Sequence, residues 1–257
     1  MSQQSNVVLV DIADGVMTIT LNRPEKRNAL SNEVYAGLGD AIEQAERDDA
    51  VRVVLLQAEG NVFCAGADLA EFSAANKSGR RGPRGSVRWI GGLDRIEKPV
   101  IAAVQGPAVG VGTTMLMHCD LICMADEASL RTPFVNLAVV PEVSSTYLIP
   151  QRIGYSRAYA MFALGEPVPA KTCVEWGLAH LSVPRSKLRE TAGALARTLA
   201  DKPLGALCAM KRLIRNPEAI EAAAVRERAI FTELMLAKEA GAAFSAFVDK
   251  AKSGKTG

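Results

Sequence analysis

The sequence predicts an α/β protein built on a mainly parallel sheet. Short apolar, β-branched runs alternate with helical periodicities through residue 185. Runs such as "VRVVLLQAEG" and "PVIAAVQG" are apolar almost throughout, as expected of strands covered on both faces. Beyond residue 185 only long amphipathic patterns remain. Alternation of strand and helix implies right-handed crossovers between parallel strands. The expected division is an α/β core over residues 1–185 and a helical subdomain over 186–257, used for assembly.

In chain order, "NVVLVDIADGVMTITLNRP" alternates apolar and polar residues around "ADG" and predicts a β-hairpin over residues 6–21. "SNEVYAGLGDAIEQAERDD" starts with a Ser N-cap candidate and repeats Val34, Leu38, Ile42 and Ala45 at helical spacing. "VRVVLLQAEG" is a strand closed by Gly60, and a helix is expected near Ala67–Phe72. From Ser73 to Gly92 the pattern breaks, with five Gly, five basic residues and no acid. That stretch reads as a basic loop, either solvated or a lid over an anionic ligand. "PVIAAVQG" and "LICMAD" are further strands, and "VGTTMLMHCD" begins a buried helix.

Composition excludes several classes. A net charge of +2 makes no electrostatic case for nucleic acid. The five cysteines form no C-x-x-C pair and only two histidines accompany them, so a metal site is not expected. The odd cysteine count and the lack of a signal peptide lead to the expectation of a cytoplasmic protein with free thiols. No apolar run is long enough to span a bilayer.

Two glycine-rich turns, "FCAGADL" and "QGPAVGVG", each follow a strand and precede a helix. Such turns leave backbone N–H groups at the positive end of a helix. Side by side they can direct two donors at one oxygen, forming an oxyanion hole; alone, each is equally a packing device. A dinucleotide site is excluded because Gly110-Val111-Gly112 lacks the third glycine of G-x-G-x-x-G, and no P-loop is present. One acid stands out. Glu142 is the lone charged residue between Thr132 and Pro150. It is either a solvent-facing turn carboxylate or a desolvated base.

The ordered blocks "LNRPEKRNAL", "FCAGADLAEF", "KPVIAAVQGPAVGVG", "CDLICMADEASLRTPFVNLAVVPE" and "GEPVPAKTCVEWGLAHLSVP" resemble the enoyl-CoA hydratase/isomerase (crotonase) superfamily. The resemblance implies a spiral of ββα units with a helical C-terminal trimerisation region, acting as a homotrimer or a dimer of trimers. It implies an acyl-CoA thioester as substrate and no separate cofactor, since coenzyme A belongs to the substrate. By the same resemblance, the N–H groups of Ala67 and Val111 form the oxyanion hole. Lys26, Arg27, Ala65, Gly66, Asp68, Leu69, Gly110 and Phe134 are expected to bind coenzyme A or substrate.

Reaction type must then come from acid/base residues. Where hydratases of this family carry two glutamates, this chain has Thr114 and Phe134. Neither can activate water. The stretch "TPFVNLAVVPEVSSTY" resembles Δ3,Δ2-enoyl-CoA isomerases of the peroxisomal type, in which a single glutamate follows "TPF". Glu142 is therefore expected to be the catalytic base of an isomerase. The alternatives are an enoyl-CoA hydratase, a thioester hydrolase or dehalogenase, and a non-catalytic acyl-CoA binder. His118 reads as a core histidine, Ser144 and Ser145 as capping or orienting hydroxyls, and Trp89 as core or acyl-pocket wall.

Overall fold

The structure, a computed structural model, describes residues 7–68, 71 and 84–244. Strands β1 (Val8–Ala13) and β2 (Val16–Leu21) pair antiparallel. Asp14 and Gly15 close the hairpin with φ of 51° and 76°, the two positive values that a tight Asp-Gly turn demands. From β2 onward the sheet is parallel, through β3 (Val53–Ala58), β4 (Val100–Val104), β6 (Leu121–Ala125) and β9 (Leu181–Val183). Every residue of β4 is buried, which explains its uninterrupted apolar sequence. A smaller sheet joins β5 (Ala108–Val109), β7 (Ser129–Arg131) and β8 (Val168–Pro169).

Helix α1 (Asn32–Arg47) begins where the Ser31 hydroxyl accepts the Val34 N–H at 3.3 Å. Its buried face holds Val34, Leu38, Ile42 and Ala45 as the periodicity predicts, together with Tyr35.

The expected loop over residues 73–92 requires correction. Residues 73–83 lie outside the described residues, but Arg84–Arg95 is a helix, α2. It lies against α1 and buries Trp89 and Leu93. Gly92 serves close packing rather than chain freedom. A Cβ on Gly92 would fall 2.4 Å from Ile42 Cγ2. Arg88 joins the two helices through Asp40 at 2.7 Å and Glu43 at 2.8 Å. Trp89, Leu93 and Ile96 carry the helical spacing, but they stand in a glycine-rich, basic context that reads as loop.

The remaining helices are α3 (Val111–Thr114), α4 (Ser145–Ile153), α5 (Tyr155–Leu164), α6 (Ala170–Trp176), α7 (Arg185–Ala200), α8 (Leu204–Ile214) and α9 (Pro217–Met235). Helix α7 lies across β3, β4 and β6, where Ala192, Ala196 and Ala200 form a small-residue stripe that admits close contact. Its buried residues belong to the same core as the sheet. Helix α9 returns to pack on α4 and α2. A second cluster gathers Phe134, Val139, Met235 and Ala240. All five cysteines are free thiols. Among the described residues, no helix is long and apolar enough to cross a membrane, and no cluster of three metal-ligating side chains occurs.

Candidate active site

The two glycine turns are brought into contact. Cys64 and Ala108 form a parallel bridge, Val109 N–H donates to Cys64 O at 2.9 Å, and Phe63 N–H donates to Pro107 O at 3.0 Å. A Cβ on Gly112 would meet Cys64 O at 2.7 Å, so glycine is what lets the turns touch. The Thr113 hydroxyl donates to Ala108 O at 2.6 Å and tightens the second turn.

Each turn leaves one candidate donor unused. Leu30 bridges the first turn: its N–H donates to Gly66 O at 2.8 Å, and its carbonyl accepts from Asp68 N–H at 3.1 Å. That pairing turns the Ala67 N–H to the opposite side, where it meets no acceptor among the described residues. Val111 is the first residue of α3, and its N–H has no intrahelical partner either. Between them Gly110 adopts φ 57°, ψ −124°, and a side chain there would meet nothing within 4 Å. Open space therefore adjoins the second donor.

Behind the first turn, Arg23 pairs with Asp68 at 2.8 Å, which places Asp68 in support of the turn. Ala65 N–H donates to Arg27 O at 3.0 Å, tying residues 24–29 to the first turn. Lys26 and Arg27 themselves are exposed beside that turn. Ala65 and Gly66 lie within the turn as expected; Leu69 lies outside the described residues. Phe134 packs in the second core cluster, with Met235 and Ala240 from the C-terminal region. Thr114 is buried, and its hydroxyl meets no partner among the described residues. His118 is a core residue, whereas His180 is exposed.

Glu142 sits just ahead of α4, half-buried. Burial, and then the negative charge of Glu227, push its carboxyl up to about 7. The phenol of Tyr35 is raised well above its ordinary value by burial, then by Glu142, then by Cys64. Tyr35 thus lies within electrostatic reach of both the acid and the first glycine turn. The turn after Glu142 is unusual: Val143 and Ser144 have φ of 64° and 56°. Glu227, from α9, accepts Ser144 N–H at 2.6 Å, Thr146 N–H at 2.8 Å and the Thr146 hydroxyl at 2.6 Å. On the other side His118 Nε2 donates to Val143 O at 2.9 Å, and its Nδ1 stands 3.0 Å from Asp94 Oδ1.

Glu227 and Tyr35 are absent from the sequence-based candidates. Both had a signal. Glu227 is an acid in the apolar stripe Ile220, Ala223, Phe231 of its helix, and Tyr35 is a hydroxyl on the buried face of α1.

Two outward-facing backbone donors on touching turns, and a carboxylic acid raised towards neutrality, are the kinds of group that stabilise an enolate and move a proton. Over residues 11–255 the chain matches the family model described as enoyl-CoA hydratase/isomerase, and it belongs to that family. It is 36% identical to 1,2-epoxyphenylacetyl-CoA isomerase of Escherichia coli (strain K12), covering 82% of each chain. It is 31% identical to enoyl-CoA delta isomerase 2 of Rattus norvegicus, over 88% of this chain and 59% of that one. Among solved structures, an enoyl-CoA hydratase/isomerase from Pseudoalteromonas atlantica T6c superposes with a TM-score of 0.89 at 34% identity, covering 95% of this chain and 97% of the other. Pseudomonas aeruginosa OdaA gives 0.88 at 35% identity, covering 95% and 99%. The chain is accordingly an acyl-CoA-processing enzyme of the crotonase fold.

Proposed function

We propose that this enzyme is a Δ3,Δ2-enoyl-CoA isomerase in which Glu142 carries a proton from C2 to C4 of the acyl chain. The thioester oxygen takes up negative charge as the C2 proton leaves, and the N–H groups of Ala67 and Val111 hold it. Glu142 then returns the proton at C4, leaving the conjugated thioester. One carboxylate that reaches both carbons suffices, and no water takes part. Lys26 and Arg27 meet the phosphates of coenzyme A, and Gly110 leaves room for the thioester.

The observation that carries this reading is the state of Glu142, a half-buried carboxyl pushed up to about 7 by burial and then by the charge of Glu227. A base poised near neutrality is suited to take and give back a proton. Thr114 and Phe134, where hydratases resemble one another in carrying glutamates, hold no ionisable group. One of the similar proteins, in Rattus norvegicus, bears an enoyl-CoA delta isomerase name, which supports the reading, while others bear hydratase names.

The test is a paired assay on a trans-3-enoyl-CoA and a trans-2-enoyl-CoA. Wild type is expected to conjugate the first and to hydrate the second negligibly. Glu142→Ala is expected to lower isomerisation by about 1,000-fold, within the usual range for a lost general base. Efficient hydration, or near-normal isomerisation by Glu142→Ala, overturns the assignment.

A further inference from the structure

The Glu142 turn is costly to hold. Val143 is β-branched and sits at φ 64°, a region such residues avoid, and Ser144 follows at 56°. The local support is weak: Ser145 N–H reaches Glu142 O only at 3.4 Å, and Ser144 occupies the N-cap position of α4 yet makes no side-chain cap bond of its own. Its hydroxyl instead donates to Ile220 O at 3.0 Å, in α9. The cap is supplied across the chain. Glu227 takes the N–H groups at the cap and at the second position of α4, and the Thr146 hydroxyl as well. A carboxylate is the side chain suited to three donors at the positive end of a helix.

We propose that Glu227 is a positioning residue for Glu142: by capping α4 from the C-terminal helix, it holds the left-handed Val143–Ser144 turn on which the catalytic carboxyl is carried. This rests on the isomerase reading of Glu142. Glu227 is nearly fully buried; burial raises its own carboxyl, the Thr146 and Ser144 donors oppose that, and its negative charge raises Glu142. The charged and titratable groups around this unit are Tyr35 from α1, His118 with Asp94 of α2 behind it, and Arg215, whose guanidinium lies 3.4 Å from His118 Nδ1. The second contact on the turn is the His118 bond to Val143 O. Glu227 and His118 thus grip the turn from opposite sides.

The experiment compares wild type, Glu227→Gln, Thr146→Val and Glu142→Ala in isomerase assays across pH. Glutamine keeps one acceptor oxygen but presents an NH₂ group where a backbone N–H now donates. Glu227→Gln is expected to lower kcat by about 10- to 100-fold, the scale of a small misplacement of a reacting group, with KM little changed. Removing the negative neighbour also moves the acidic limb of the rate profile to lower pH. Thr146→Val deletes one donor at an exposed residue, leaves the fold intact, and is expected to lower kcat in the same direction by less. A folded Glu227→Gln with wild-type kcat and an unmoved limb overturns the proposal. So does a normal Thr146→Val beside a Glu227→Gln that fails to fold, since that marks a purely structural role. If Glu142→Ala retains isomerase activity, the isomerase reading itself fails, whatever the Glu227 variants do.

Discussion

Glu142 is the residue on which chemistry and stability pull in opposite directions. As a base it works only when deprotonated, so kcat/KM should fall as pH drops below about 7 and level off above it. A profile flat down to about pH 5 contradicts that assignment. For stability the sign is reversed. The carboxyl is raised in the folded state from 4.5 to about 7, so the fold favours its protonated form. That preference contributes stability fully below 4.5 and loses it as pH rises through about 7. Glu142→Gln, which mimics the protonated acid, should therefore be more stable than wild type at about pH 8. The gain should be on the order of 2 kcal/mol after allowing for partial exposure, shrinking towards zero near pH 4.5. Thermal unfolding of both proteins across that range measures it. The same desolvation that makes Glu142 a useful base makes it an unfavourable neighbour for the fold.

At the scale of elements, the candidate hole depends on two turns held edge to edge. Gly112→Ala would place a methyl group 2.7 Å from Cys64 O and 2.8 Å from Cys64 Cβ, so the turns must separate. The expected result is a loss of about 1–3 kcal/mol in chemical denaturation, with isomerase activity falling about 100-fold. Retention of activity would mean that the contact does not set the donor geometry. Asn28 organises the neighbouring turn from a buried position at φ 54°. It accepts Arg23 N–H at 2.8 Å and donates to Glu59 O and Val62 O, both at 2.8 Å. Asn28→Ala leaves those backbone groups without partners and should cost about 2–3 kcal/mol in urea unfolding. An effect below about 0.5 kcal/mol would show that water replaces the side chain.

At the scale of the molecule, the C-terminal helices are fastened to the sheet by polar contacts as well as by packing. Lys211 of α8 is buried, with Nζ 2.7 Å from Asp120 Oδ2 and 3.0 Å from Lys98 O. Burial lowers its pKa, and Asp120 opposes that shift. Asp120→Asn would strand the ammonium and should cost about 3 kcal/mol, the lower end for such a pair because Asp120 is partly open to solvent. Equilibrium denaturation measures this, and no loss would mean that Lys211 reaches water. Glu227 extends the same logic to the site: the last helices carry a group that acts on the turn holding Glu142.

Much of this was legible in the chain itself. The hairpin, the buried face of α1, the two glycine turns and the lone acid in an apolar stretch all follow from short-range periodicity and turn chemistry. These depend on neighbours a few residues away. Helix α2 was not legible, because Gly92 serves packing against α1 and looks like a loop residue until that partner is in place. The inventory of chemical groups, one candidate base and two candidate donor turns, is a property of the sequence. What surrounds them was decided by the tertiary structure. Glu227 reaches Ser144 across 83 positions and Thr146 across 81. Desolvation and electrostatic influence depend on distance through space, and the spacing of residues along the chain does not encode that distance.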